Sequence, residues 1–130
     1  MKYQPLLTMV PQRHPMDCGP TTLSMLLGVS YEDALLAFGG VAPKILRGGV
    51  WLTEMRRAAA VLGTPLKLKR VWDVEDDEGI AQIKFRKCAY HLVVVRRGLF
   101  FDTNFDCWEP EDYLKAKQAT TGPLLVREDE

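Results

Sequence analysis

The sequence predicts an α+β domain on three grounds. Capping residues and glycines divide the first half into short helical segments. From Leu66 onward the apolar period changes to strand-like alternation and β-branched runs. Arg96-Arg97-Gly98 then separates two apolar stretches as a tight hairpin turn does. Helices first and a mostly antiparallel sheet second is the order of an α+β fold. At 130 residues, with 47% hydrophobic and 26% charged side chains, the chain suits one globular domain with a single core.

In chain order, Asp17 is placed to cap a helix from about Cys18 to Leu27. Pro20 sits in its first turn, where a missing N–H costs little, and Gly28 stops it. Ser30-Tyr-Glu-Asp33 reads as a capping box with Asp in place of Glu, opening a second helix through about Phe38 that Gly39-Gly40 ends. Thr53 is the expected cap of a third helix, about Glu54 to Leu62, closed by Gly63. The loop holding Gly48-Gly49 is too small for a phosphate cradle. Leu66–Trp72 alternates as a strand. The acidic run Val74–Glu78 reads as a solvated connection or a first helical turn. Ile80–Phe85 fits a strand better than a helix, and His91–Val95 is a buried β run paired back on Leu99–Asp102. Pro110–Ala116 is a short helix with Pro at its start, and Leu124–Arg127 a last strand.

Charge narrows the partners. Lys plus Arg equals Asp plus Glu at 17 each, so no basic surface for nucleic acid or anionic lipid is expected. No stretch reaches the apolar length of a membrane span, and Met1–Val10 lacks the pattern of a signal peptide. The 3 cysteines, Cys18, Cys88 and Cys107, form no disulfide framework. The expected compartment is the cytoplasm, with a thiol free for chemistry.

The chemistry concentrates in Gln12-Arg-His-Pro-Met-Asp-Cys18-Gly-Pro-Thr-Thr-Leu-Ser-Met25. Cys18 lies at a helix start, where unpaired N–H groups and the macrodipole favour a thiolate. Its own N–H is available to a developing oxyanion, and Gly19 lets a substrate backbone approach. His91 opens a strand, and Asp102 ends the paired one, where it can orient the imidazole through its second nitrogen. The Gln12 amide is the candidate second oxyanion donor. Each residue also has an ordinary reading: a packed helix-start thiol, a sheet histidine, a turn acid, a loop glutamine. Their coincidence in one chain favours the nucleophilic reading.

These residues resemble the peptidase C39 family of papain-like cysteine peptidases, known for trimming bacteriocin leader peptides. The likeness lies in Gln12, Asp17-Cys18-Gly19-Pro20, Leu23-Ser-Met25, the strand His91-Leu-Val-Val-Val95, and Asp102 after the next strand. The usual Asp-Pro is Asp102-Thr103 here. The resemblance implies a papain-like fold, with N-terminal helices packed on an antiparallel sheet. It also implies Cys18 as nucleophile, His91 as general base and acid, Asp102 as orienter and Gln12 as oxyanion donor, acting on a peptide or protein substrate. Bacteriocin-processing members are usually fused to a membrane transporter. This sequence carries no such segment, so a free-standing domain is expected and leader cleavage is not implied.

Gly19, Tyr90 and Trp108 are the candidate substrate-contact residues, Trp108 as a cleft wall. Asn104 and Asp106 are alternatives to Asp102 as orienter. Trp51 and Trp72 read as core or cleft-wall residues. His14, Cys88, His91 and Cys107 match no common zinc spacing, so no metal and no cofactor are expected. Two alternatives to a peptidase stay open: a non-catalytic peptide-binding module on the same fold, and a deamidase or transglutaminase using the same thiol chemistry.

Overall fold

The computed structural model describes residues 16–86, 89–104 and 106–128. Its first helix, α1, spans Cys18–Leu27 and ends on Gly28 in the left-handed region, φ 71°. Asp17 occupies the N-cap position, but its side chain makes no capping bond. Instead Tyr31 donates its hydroxyl to Asp17 Oδ2 at 2.6 Å. A carboxylate with no exposure is thereby tied to the next helix rather than to its own.

Helix α2 spans Tyr31–Leu36, and Ser30 accepts the Asp33 N–H as expected of its cap. It stops before Phe38. A 3₁₀ turn over Gly39–Val41 leads into α3, Ala42–Gly48, a helix the sequence reading leaves as loop. Helix α4 spans Leu52–Val61 and starts two residues before the expected Glu54. The reason is local: Trp51 donates its N–H to Glu54 Oε1 at 2.8 Å, so Trp51 and not Thr53 is the capping position.

Six strands form one sheet in the order β1-β6-β2-β3-β4-β5: β1 Leu66–Lys69, β2 Gly79–Phe85, β3 Tyr90–Arg96, β4 Leu99–Phe101, β5 Cys107–Trp108 and β6 Ala119–Arg127. Every pairing is antiparallel. Between β2 and β3, Ile83 stands opposite His91. The β3–β4 hairpin turns on Arg97 and Gly98, φ 52° and 79°, the two positive φ values of a type I′ turn. The expected Leu66–Trp72 strand stops at Lys69, which pairs with Leu124. Arg70 would next face Pro123, which has no N–H to offer a ladder. The chain leaves the sheet there, and Trp72 instead donates its indole N–H to the Gly122 carbonyl at 2.9 Å. Residues 73–78 form a turn rather than a helix: Asp77 Oδ2 accepts the Asp73 N–H while Lys69 reaches Oδ1.

The sheet separates two apolar clusters. On one face α1 to α4 pack Leu23, Leu26, Ile45 and Met55 against Ile80, Leu92, Val94, Phe101 and Leu125. On the other, helix α5, Pro110–Lys117, packs Tyr113 against Val93, Val95, Phe100 and Leu124. Alternating residues of β3 thus serve opposite layers, as the period of a strand requires. The α+β class with helices on an antiparallel sheet is the observed architecture. Among the described residues no helix is long and apolar enough to cross a membrane.

Candidate active site

Cys18 is the first residue of α1 and only 9% exposed. The helix is buried along most of its length, so its start is held rigidly by the sheet on one side and by α2 and α4 on the others. The first N–H groups of a helix have no partner within it, and Pro20 has none to offer. The start of α1 therefore presents the N–H groups of Cys18 and Gly19.

His91 is the second residue of β3, at the rim of the sheet. Two contacts hold it. Its Nε2 is 2.7 Å from Asp102 Oδ1. Phe85, two residues along β2 from His91's cross-strand partner, stacks on the ring with centroids 6.0 Å apart and planes 21° apart. The Cys18 side chain lies close enough to the imidazole to favour its charged form. With Nε2 committed to Asp102, Nδ1 is the ring nitrogen left for the thiol. Burial alone would depress the imidazole's pKa. The Asp102 bond, followed by the attraction of the Cys18 side chain, overcomes burial and raises the pKa from 6.5 to about 9.

Asp102 follows β4 directly and is 5% exposed. Its Oδ1 also accepts the Thr103 N–H at 2.7 Å, and its Oδ2 accepts the Tyr113 hydroxyl at 3.0 Å. Burial pushes the carboxyl pKa up. The hydrogen bond and charge of His91, then the Thr103 N–H and the Tyr113 hydroxyl, outweigh burial and hold it below the ordinary carboxylate value. Burial, then the charge and hydrogen bond of Asp102, push the Tyr113 phenol well above its usual range, so it stays a neutral donor.

The structure thus brings Cys18, His91 and Asp102 together. Asp102, rather than Asn104 or Asp106, meets the imidazole. Asn104 is exposed, and Asp106 gives its carbonyl to the Asp102 N–H at 2.8 Å, which closes the loop around the carboxylate. Gln12, like His14 and Cys88, lies outside the described residues. Gly19 is buried, and its missing Cβ has a packing reason: a side chain there would lie 2.9 Å from Val50 Cγ1 and 3.3 Å from Met55 Sδ. Tyr90 is 56% exposed beside His91. Trp108 lies edge-on to Tyr113, centroids 5.5 Å apart, with the Lys117 ammonium 5.5 Å above its ring. This puts it against the α5 residue that holds Asp102. Of the two tryptophans read as core or cleft wall, Trp51 is 70% exposed, while Trp72 packs in the α5-side cluster.

Phe85 and Tyr113 are the participants that sequence reasoning missed. Phe85 carries a usable signal, an aromatic diagonal to a strand histidine. Tyr113 carries none beyond being the aromatic residue of a short helix.

A groove of about 600 Å³ lies elsewhere, between the Arg70–Val74 segment, α5 and the Thr121–Pro123 stretch of β6. It includes none of Cys18, His91 and Asp102. Among the described residues no group of three or more His, Cys, Asp or Glu side chains could hold a metal ion. In comparisons with known proteins, no family and no curated protein matches this sequence.

Proposed function

We propose that this protein is a papain-like thiol hydrolase that cleaves a peptide or isopeptide bond through Cys18, His91 and Asp102. The observation that carries the reading is the grouping of a helix-start thiol, a nearby imidazole and a buried carboxylate bonded to that imidazole. Each member has the role its surroundings suit. The carboxylate fixes the ring and stabilises its charge. The imidazolium stands against the sulfur. The helix start offers N–H groups where an oxyanion would form.

In this reading the Cys18 sulfur attacks the carbonyl carbon and forms a C–S bond. The carbonyl electrons move onto oxygen, which the Cys18 N–H stabilises; the family resemblance assigns Gln12 as a second donor. Collapse of this intermediate breaks the C–N bond, and His91 gives its proton to the leaving amine. His91 then takes a proton from water, which attacks the thioester. The C–S bond breaks, the carboxylic product leaves, and the Cys18 thiolate again faces the His91 imidazolium, which keeps the proton taken from water. A deamidase passes through the same thioester after loss of ammonia. A transglutaminase passes it to an amine, so substrate screening separates the three.

Alkylation of the native chain by iodoacetamide, resolved by site, tests the proposal from about pH 5 to 9. Cys107 is the internal control. It is exposed, and partial burial followed by the Glu109 charge pushes its thiol pKa up. Cys18 is expected to react at least about tenfold faster than Cys107 near pH 6.5, with the advantage removed by His91→Ala. A Cys18 that reacts no faster than Cys107 in the folded protein sinks the hydrolase reading in favour of a binding module.

A further inference from the structure

We propose that Tyr113 is a positioning residue, whose hydroxyl anchors the second oxygen of Asp102 and keeps the carboxylate turned toward His91 from the opposite side of the sheet to α1. The role is stated for the triad of the hydrolase reading and rests on that reading. The contact itself stands on geometry.

A carboxylate buried to 5% exposure needs donors for both oxygens. Oδ1 takes His91 Nε2 and the Thr103 N–H, each at 2.7 Å. Tyr113 reaches Oδ2 at 3.0 Å. The terminal torsion of an aspartate is broad, so donors on one oxygen leave the plane of the group loosely set. Anchoring the second oxygen sets it, and with it the line from Oδ1 to the imidazole.

Tyr113 is built for this. It is fully buried, and its ring is fixed edge-on between Phe100 and Trp108, each with centroids 5.5 Å away. Glu109 accepts the Tyr113 backbone N–H at 3.0 Å, which places the residue in the first turn of α5. A phenylalanine would fill the same space, so the hydroxyl has a task separate from packing.

The charged and titratable groups around Asp102 come from every neighbouring element. His91 faces it from β3 and Tyr113 from α5. Cys18 on α1 lies beyond the imidazole, and Asp106 lies on the same loop close enough to act on Tyr113. The Lys117 ammonium sits 5.8 Å from the Tyr113 ring centroid. Within this set the Tyr113 hydroxyl favours the charged form of Asp102, so its removal makes Asp102 easier to protonate.

The test is Tyr113→Phe in the full chain, with two readouts. The first is the pH titration of the Asp102 carboxyl carbon by NMR. The second is iodoacetamide alkylation of Cys18, with Cys107 as control. The Asp102 midpoint is expected to rise in the variant. Cys18 alkylation is expected to fall severalfold at the acid end of the titration, where the raised Asp102 midpoint leaves the carboxyl protonated, and to return to within about twofold of wild type near pH 8. An unmoved Asp102 midpoint, or a loss equal at every pH, makes Tyr113 a packing residue and overturns the proposal.

If the variant does not fold, the wild-type Tyr113 hydroxyl proton decides. Slow exchange supports the bond, and exchange as fast as that of exposed Tyr90 overturns it. A wild-type Cys18 no more reactive than Cys107 sinks the hydrolase reading, while the Asp102 midpoint still reports whether Tyr113 holds the carboxylate.

Discussion

His91 shows at the residue scale how neighbours set the charge of a strand histidine. Its ring is desolvated by Phe85 and by its place at the sheet rim, which by itself disfavours the charged form. Asp102 and Cys18 reverse that preference because both interact best with an imidazolium. Asp102→Asn keeps the shape and removes the charge. In that variant the His91 titration, followed by NMR, is expected to fall from about 9 back toward 6.5. Hydrolysis of a substrate found by screening is expected to drop by about 10²–10⁴-fold. A His91 titration unchanged by Asp102→Asn would show that the carboxylate is not what charges the ring.

At the scale of elements, the site depends on how closely α1 and α4 approach. At Gly19 the segment entering α4 comes close, and Val50 and Met55 fill the space a Cβ would take. Overpacking of this kind costs about 1–3 kcal/mol. Gly19→Ala is therefore expected to lower stability by that amount in urea denaturation and to slow Cys18 alkylation as the helix start shifts. A variant as stable as wild type would show that the 49–51 segment yields freely. The β3–β4 hairpin is the second positioning device. Its two-residue turn brings Asp102 back beside the start of β3, and the pairing of Val94 with Phe101 sets the register that carries Asp102 to His91.

For the whole molecule, the triad links folding to pH. His91 has a folded pKa of about 9 against an ordinary 6.5, so its contribution is complete below about 6.5 and is lost as pH rises through about 9. Asp102 runs the other way. Its contribution is present above its ordinary 3.8 and is lost as pH falls through its depressed folded value. Stability is expected to peak between about pH 4 and 6.5 and to decline toward pH 9. The decline is on the order of 3 kcal/mol, one sum for the coupled pair rather than one for each partner. Thermal unfolding across that range measures it, and His91→Ala is expected to flatten the alkaline side. An equally steep decline in that variant would place its source outside the triad.

The features legible in the chain alone are those whose cause is local. Cys18–Leu27 runs from its predicted first residue to a glycine that accepts positive φ. Ser30 caps its helix, and Arg97-Gly98 turns its hairpin. The three consecutive valines Val93, Val94 and Val95 lie in a buried strand because β-branched residues suit one. The grouping of Cys18, His91 and Asp102 was legible as a pattern of residue types in order. Tertiary contacts decided what locality could not. Strand β6 begins at Ala119 rather than at the expected Leu124, its register with β2 shifting where Gly122 and Pro123 stand opposite Gln82 alone. Helix α3 and the two-residue strand β5 form with little signal of their own, the one by packing Ile45 into the core and the other by pairing with β4. Asp17 turns from its own helix to Tyr31, and Tyr113 crosses from α5 to Asp102. Both are contacts between separate elements, set by which surfaces meet once the sheet is covered on both faces. Local propensity carries no record of such meetings.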